Sequence, residues 1–140
     1  MSGRFSIRFT VRFRDVDSLG HVNNAVYFTY MEQARTEFWM HLFGLDSLSR
    51  ISFIVAHAEC DFRVPAQFQD ELEVSIRTSS IGNSSFVWEY EIKNAKTGQL
   101  MANGKTIQVY YDYRLQKGLP VPPEIRTRLL EGKGTTEEHR

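Results

Sequence analysis

Two carboxylates, a histidine and two side-chain amides crowd into the stretch Arg12-Phe13-Arg14-Asp15-Val16-Asp17-Ser18-Leu19-Gly20-His21-Val22-Asn23-Asn24-Ala25-Val26-Tyr27. The helical spacing that begins at Asn24 makes this stretch the entrance to a helix, with Asn23 or Asn24 as its cap. The first turn of a helix carries unpaired backbone N–H groups and a partial positive charge. An anion, or a carbonyl oxygen about to become one, is favoured there. A carboxylate a few residues upstream can sit beside that oxygen while a histidine supports it, and Gly20 lets the backbone turn tightly before the cap. The same residue types also have purely structural uses. Asp15 and Asp17 suit a loop that precedes a helix, and His21 could simply hydrogen-bond the loop backbone. Asn23 and Asn24 are read first as caps, a cap being worth ~1 kcal/mol.

Other chemistry-bearing residues are more scattered. His57, Glu59 and Asp61 share one face of a strand-like segment, where they either line a site across a subunit boundary or form a polar interface or wet sheet face; the second use is favoured. His41 falls late in the helix, within reach of that helix's C-terminal carbonyls. No Cys-x-x-Cys or His-x-x-x-His pair is present, which argues against zinc. Cys60, the single cysteine, excludes an intrachain disulfide and is expected to be buried and inert. Lysine plus arginine and aspartate plus glutamate balance at 17 each, so there is no global field for nucleic acid. The 41% apolar content supports a real core. No run approaches the roughly 20 apolar residues of a membrane span, and the N-terminus has no apolar leader core. A soluble, cytoplasmic protein is expected.

These residues need elements to hold them. Ile7, Phe9, Val11 and Phe13 alternate with Arg8, Thr10 and Arg12, which predicts a half-buried strand from Ser6 to Phe13. From Asn24 to Phe43, Tyr27, Tyr30, Met31, Ala34, Phe38 and Leu42 recur at helical intervals. Phe28, Trp39 and Phe43 broaden the stripe, so the helix should be largely surrounded by protein until Gly44 stops it. Four strand-like segments follow. Phe53 to Val64 is read with Ile54, Ala56, Ala58, Cys60, Phe62 and Val64 on one side. Next come Leu72, Val74 and Ile76, then Phe86, Trp88, Tyr90 and Ile92, then Ile107, Val109, Tyr111 and Tyr113, with Gly104 a possible bulge. Pro122-Pro123 opens a short helix from Glu124 to Glu131. The chain is expected to form one domain over residues 1–131, with a frayed tail at 132–140. Hairpin connections predict an α+β fold, a curved and mainly antiparallel five-stranded sheet wrapped around one long central helix. That is the hot-dog arrangement.

The pattern Asp-x-Asp-x-x-Gly-His-Val-Asn-Asn from Asp15 to Asn24, followed by Tyr-Phe-x-Tyr-Met-Glu-Gln-Ala-Arg from Tyr27 to Arg35, resembles the 4-hydroxybenzoyl-CoA thioesterase group of the hot-dog superfamily. The resemblance is specific over about Arg12 to Arg35 and follows the element order of the whole chain. It implies an acyl-CoA thioesterase in which Asp17 is the catalytic carboxylate, attacking the thioester directly or activating the water that does. It implies that amides at Asn24 and Ala25 polarise the carbonyl. The plant acyl-carrier-protein thioesterases, also similar here, carry an active-site histidine at the position of His21, but an asparagine where this chain has Leu19. Other hot-dog groups use a carboxylate on the helix. Glu32 lies roughly 12 Å along the axis from Asn24, too far to share a carbonyl with Asp17, and is expected to orient or pair with an arginine. Asn23 and Glu59 are further supporting candidates. The resemblance also implies a homodimer or homotetramer with the site between protomers, and CoA that enters as part of the substrate, with no cofactor or metal. Arg63, Arg77 and Lys105 are candidates to hold CoA phosphates. Rivals are a carrier-protein thioesterase, an enoyl-CoA hydratase or dehydratase, and a non-catalytic acyl-CoA-binding protein.

Overall fold

The computed structural model describes residues 4–44 and 51–132, so the expected tail from 133 onward lies outside the described residues. Strand β1 (Arg4–Thr10) turns Phe5, Ile7 and Phe9 inward, and Val11 completes the row. The strand ends earlier than the alternation suggests. Phe13 is 77% exposed, because the chain leaves the sheet into a 3-10 turn over Phe13–Asp15. The Asp15 carboxylate accepts from the Arg12 backbone N–H at 3.0 Å, a local bond that competes with continued sheet pairing.

Helix α1 (Asn24–Phe43) starts where Asn23 Oδ1 accepts from Ala25 N at 2.9 Å. It stops at Gly44, whose φ of 99° suits glycine. Met31, Ala34, Phe38 and Leu42 are fully buried. Thr29, Glu32 and Gln33 remain exposed, so within one chain the helix is covered on one side rather than surrounded.

Strands β2 (Phe53–Phe62), β3 (Glu71–Ile81), β4 (Ser85–Asn94) and β5 (Leu100–Asp112) join β1 in the order β1-β3-β4-β5-β2, every neighbouring pair antiparallel. A two-residue β6 (Lys117–Gly118), too short to leave a pattern, pairs with β5. Helix α2 (Pro123–Glu131) begins at the expected proline and buries Leu129. The five-stranded path with one long helix against it is the hot-dog fold. Its core is an aromatic layer in which Trp88 meets Phe38 at 5.8 Å and Phe53 at 5.2 Å between ring centroids. Burying each such ring contributes about 1.5–3 kcal/mol.

Two strands depart from simple alternation. In β2 the register shifts between Val55 and His57, so the one extra residue inverts the phase. Phe53 therefore faces inward on the same side as Ala58, Cys60 and Phe62, which pair with Thr106, Gly104 and Ala102. In β5 the buried side carries Ala102, Thr106 and Gln108, not Ile107 and Val109. Tyr90 Oη lies 2.6 Å from Thr106 Oγ1 and Gln108 Nε2 donates to the Phe86 carbonyl at 3.1 Å, while Gln108 Oε1 is buried without a partner among the described residues.

Gly104 sits in regular register on both sides and is no bulge. A Cβ there would fall 2.5 Å from Met31 Sδ and 2.9 Å from the Glu59 carbonyl oxygen. The helix approaches the sheet closely at this point. Gly104→Ala is expected to lower the unfolding free energy by about 2 kcal/mol, read as a lower urea midpoint at unchanged slope. An unchanged midpoint would mean that Met31 and the sheet can part at no cost.

Candidate active site

The segment between β1 and α1 folds back on itself. Val16 and Val22 form an isolated antiparallel bridge. Asp17 N donates to the His21 carbonyl at 2.8 Å and Asn23 N to the Asp15 carbonyl at 3.0 Å. The tip turns through Gly20 at φ 83°, a conformation that glycine adopts without strain. Asp17 stabilises this tip itself, since its Oδ1 accepts from Leu19 N at 2.9 Å and His21 N at 3.3 Å. One carboxylate oxygen is therefore held in place, and Oδ2 has no partner among the described residues. The His21 ring likewise bonds to none of the described residues; it is the histidine's backbone, not its ring, that braces the loop.

At the start of α1, Asn23 acts as the cap, as expected. Its side chain occupies the Ala25 amide and its carbonyl accepts from Val26 N at 2.8 Å. The Asn24 amide has no acceptor among the described residues. Of the two amides expected to polarise a carbonyl, Ala25 is already engaged and Asn24 is open. Asp17, His21 and Asn24 line one cleft of about 220 Å³, together with Tyr27, Phe62, Arg63, Val64 and Pro65. Tyr27 and Phe62 meet edge-on at 5.3 Å and form its aromatic wall. Nothing in the sequence links the strand end that supplies Phe62 and Arg63 to this loop, because no local pattern reports which strand closes over a helix end.

Asp15 is the carboxylate for which a plain loop role is the simpler expectation. It is instead 3% exposed. Its Oδ2 accepts from Tyr30 Oη at 2.9 Å and from the Arg12 backbone, and its Oδ1 from Arg12 Nη2 at 3.2 Å. Burial by itself would raise this carboxyl's pKa. The bonds from the Arg12 amide, the Arg12 guanidinium and Tyr30 outweigh it and hold the group below its ordinary range. Burial and the neighbouring carboxylate in turn push the Tyr30 phenol far up. The available signal was Tyr30 on the buried stripe of the helix, since a buried tyrosine hydroxyl needs a partner.

The remaining candidates lie elsewhere. Glu32 is exposed on α1 and makes no ion pair among the described residues, so the expected arginine partner is not found within one chain. Glu59 bonds His57 at 2.9 Å, and that bond lowers its pKa. It belongs to the outer face of the sheet, where the register lines up Arg4, Arg77, Glu89, Lys105 and Glu59 in one row across the strands. A depression of about 400 Å³ on this face is bordered by Arg63, Arg77 and Lys105 as well as by Glu59 and Asp61. Arg63 borders both this depression and the Asp17 cleft. Cys60 is half-buried, and burial with help from Asp61 pushes its thiol up to about 11, which keeps it protonated at neutral pH. His41 Nε2 lies 3.3 Å from the Gly132 carbonyl at the end of α2, rather than on its own helix's carbonyls. Among the described residues no three His, Cys, Asp or Glu side chains are grouped to hold a metal. No described helix is long and apolar enough to cross a membrane.

The chain is similar to known proteins in sequence and fold. The model of a thioesterase-like superfamily matches residues 11–129. The long-chain acyl-CoA thioesterase FadM of Escherichia coli K12 is 30% identical over 124 residues, covering 85% of this chain and 92% of FadM. A thioesterase from Thermus thermophilus, solved with coenzyme A and zinc, superposes with a TM-score of 0.80 at 37% identity over 89% of this chain and 95% of that one. A 1,4-dihydroxy-2-naphthoyl-CoA thioesterase from Synechocystis has a TM-score of 0.79 at 26% identity, covering 91% of this chain and 96% of its own.

Proposed function

Because this chain belongs to the thioesterase-like superfamily, we propose that its cleft hydrolyses acyl-CoA thioesters to a carboxylate and free CoA. The observation that carries this reading is the Asp17 carboxylate. One of its oxygens is locked by loop amides, the other has no partner among the described residues, and Asp17 lines the same cleft as Asn24, whose amide is open. The thioester carbonyl oxygen is bound by that amide at the positive end of α1, which favours the charge it acquires. Asp17 Oδ2 either attacks the carbonyl carbon or takes a proton from the water that does. The C–S bond breaks, the thiolate of CoA leaves and takes up a proton, and water supplies the oxygen of the acid. His21 orients the substrate or helps move that proton.

CoA takes part as the leaving half of the substrate, and the residues in named roles need no metal or redox group. Arg63, at the lip between the cleft and the outer depression, is the best placed of the three cations for a CoA phosphate. Arg77 is held by Glu89 at 2.9 Å.

A second copy of the chain completes the site in this reading. Strand β2 is an edge, its residues from Ile54 to Glu59 are exposed, and its end forms a wall of the cleft. Edges of this length invite pairing, and a protomer docked on β2 would roof the space beside Asp17. Dimers of dimers extend the same scheme. A cytoplasmic setting fits the single, half-buried cysteine and a CoA-linked substrate.

A panel of short, long and aromatic acyl-CoA thioesters, followed by release of free thiol, tests the activity. Turnover of at least one class well above the uncatalysed rate is expected. Silence across the panel, from protein that elutes as a folded oligomer, overturns the assignment.

A further inference from the structure

We infer that Asp15 is the positioning residue of this site and that Tyr30 is its anchor on the helix, an inference that rests on Asp17 being the reacting carboxylate. Three elements must keep their spacing for Asp17 to stay beside the Asn24 amide: the end of β1, the loop tip and the first turns of α1. Asp15 touches the first and the last of them and is joined to the tip through Val16. Its carboxylate accepts from Arg12, where the chain leaves β1, and from Tyr30 Oη inside the helix. Its carbonyl accepts from Asn23 N at the cap. Tyr30 lies six residues beyond Asn24, roughly 9 Å along the axis, so the two bonds grip the helix at separate points and resist both sliding and tilting.

Asp17 follows after a single extended residue, Val16, at φ −100° and ψ 152°. Val16 is itself bridged to Val22, so little slack remains between the two aspartates. Holding Asp15 therefore fixes the stretch of backbone from which the Asp17 side chain projects. The grip is stiff because it is buried. Asp15 is 3% exposed and so is Tyr30, and a carboxylate withdrawn from water is strongly penalised when it loses a donor. Asp15 does not border the cleft that holds Asp17, so it acts through Asp17 and not on the substrate.

The consequence is a specific kinetic signature. A displaced carboxylate still lets acyl-CoA bind, so loosening the grip lowers kcat and leaves KM near its original value. Tyr30→Phe removes one hydroxyl and keeps the buried ring. It is expected to reduce kcat about tenfold with KM changed less than twofold. Asp15→Asn is expected to do at least as much. Where Asp15→Asn fails to fold, Tyr30→Phe carries the test alone. Each change is also placed in an Asp17→Asn background, where it is expected to leave the residual turnover unaltered, because no reacting carboxylate remains to be misplaced.

Wild-type kcat in Tyr30→Phe overturns the inference. So does an equal fractional loss in both backgrounds, or a loss expressed mainly in KM, since a merely structural role would act alike with or without Asp17. Those results, with Asp17→Asn itself inactive, leave the catalytic reading standing. Full activity in Asp17→Asn removes that reading, and this inference with it.

Discussion

Asp17→Asn is expected to reduce kcat for acyl-CoA hydrolysis by at least about a hundredfold, with little change in assembly or unfolding midpoint. The substitution separates two jobs that one side chain performs. Asp17 Oδ1 braces the loop by accepting from Leu19 and His21. An asparagine carbonyl in the same place accepts those bonds equally well, so the loop should persist. What disappears is the open Oδ2, replaced by an amide nitrogen that neither attacks a carbonyl nor takes a proton from water. Free-thiol release measures the loss, and light scattering with thermal unfolding checks that the assembly is intact. Wild-type-like turnover in this variant would remove the mechanism.

Asn24→Pro should be almost as damaging to catalysis and nearly silent in the fold. Proline deletes the one N–H at the start of α1 that has no acceptor among the described residues. The position is the first of the helix, where proline's fixed φ is favourable and its missing donor breaks no helical bond. The preceding residue must then be extended, and Asn23 already is, at φ −61° and ψ 136°. The chain uses the same device itself, since α2 opens on Pro123. Losing one preorganised oxyanion donor costs about 10²–10³ in kcat, and that range is expected here. Asn24→Ala keeps the amide and discards only an exposed side chain, so it should retain most activity. If Asn24→Pro matches wild type while Asn24→Ala does too, the carbonyl is polarised by some other group.

Much of this could be read without coordinates, because the signals are local. Alternation in Ile7, Phe9 and Val11, the helical recurrence from Tyr27 to Leu42, and the Asn23 cap each depend on residues within one or two turns of each other. The same holds for the cluster from Asp15 to Asn24, whose candidates are joined by short stretches of chain. Asp17, His21 and Asn24 had to be neighbours whatever the rest of the fold did, and they share the cleft.

Other features depend on how distant segments meet. Alternation along β2 holds until one extra residue after Val55 inverts it, and only pairing with β5 reveals that residue. Thr106 and Gln108 are buried because the strand's phase is set by its neighbours and not by its own hydrophobicity. Glu59 looked like a supporting group and belongs to the charged outer row, out of the Asp17 cleft within one chain.

The amino-acid order alone thus determined the main secondary elements, the hot-dog class and the loop that lines the cleft, since periodicity and capping act over a few residues. Only the tertiary structure decided that Asp15 is buried against Tyr30 while Asp17, two residues on, stays open. Types and spacing are the same for both carboxylates. What separates them is which one the helix packs over, and that is settled by contacts between segments far apart in the chain.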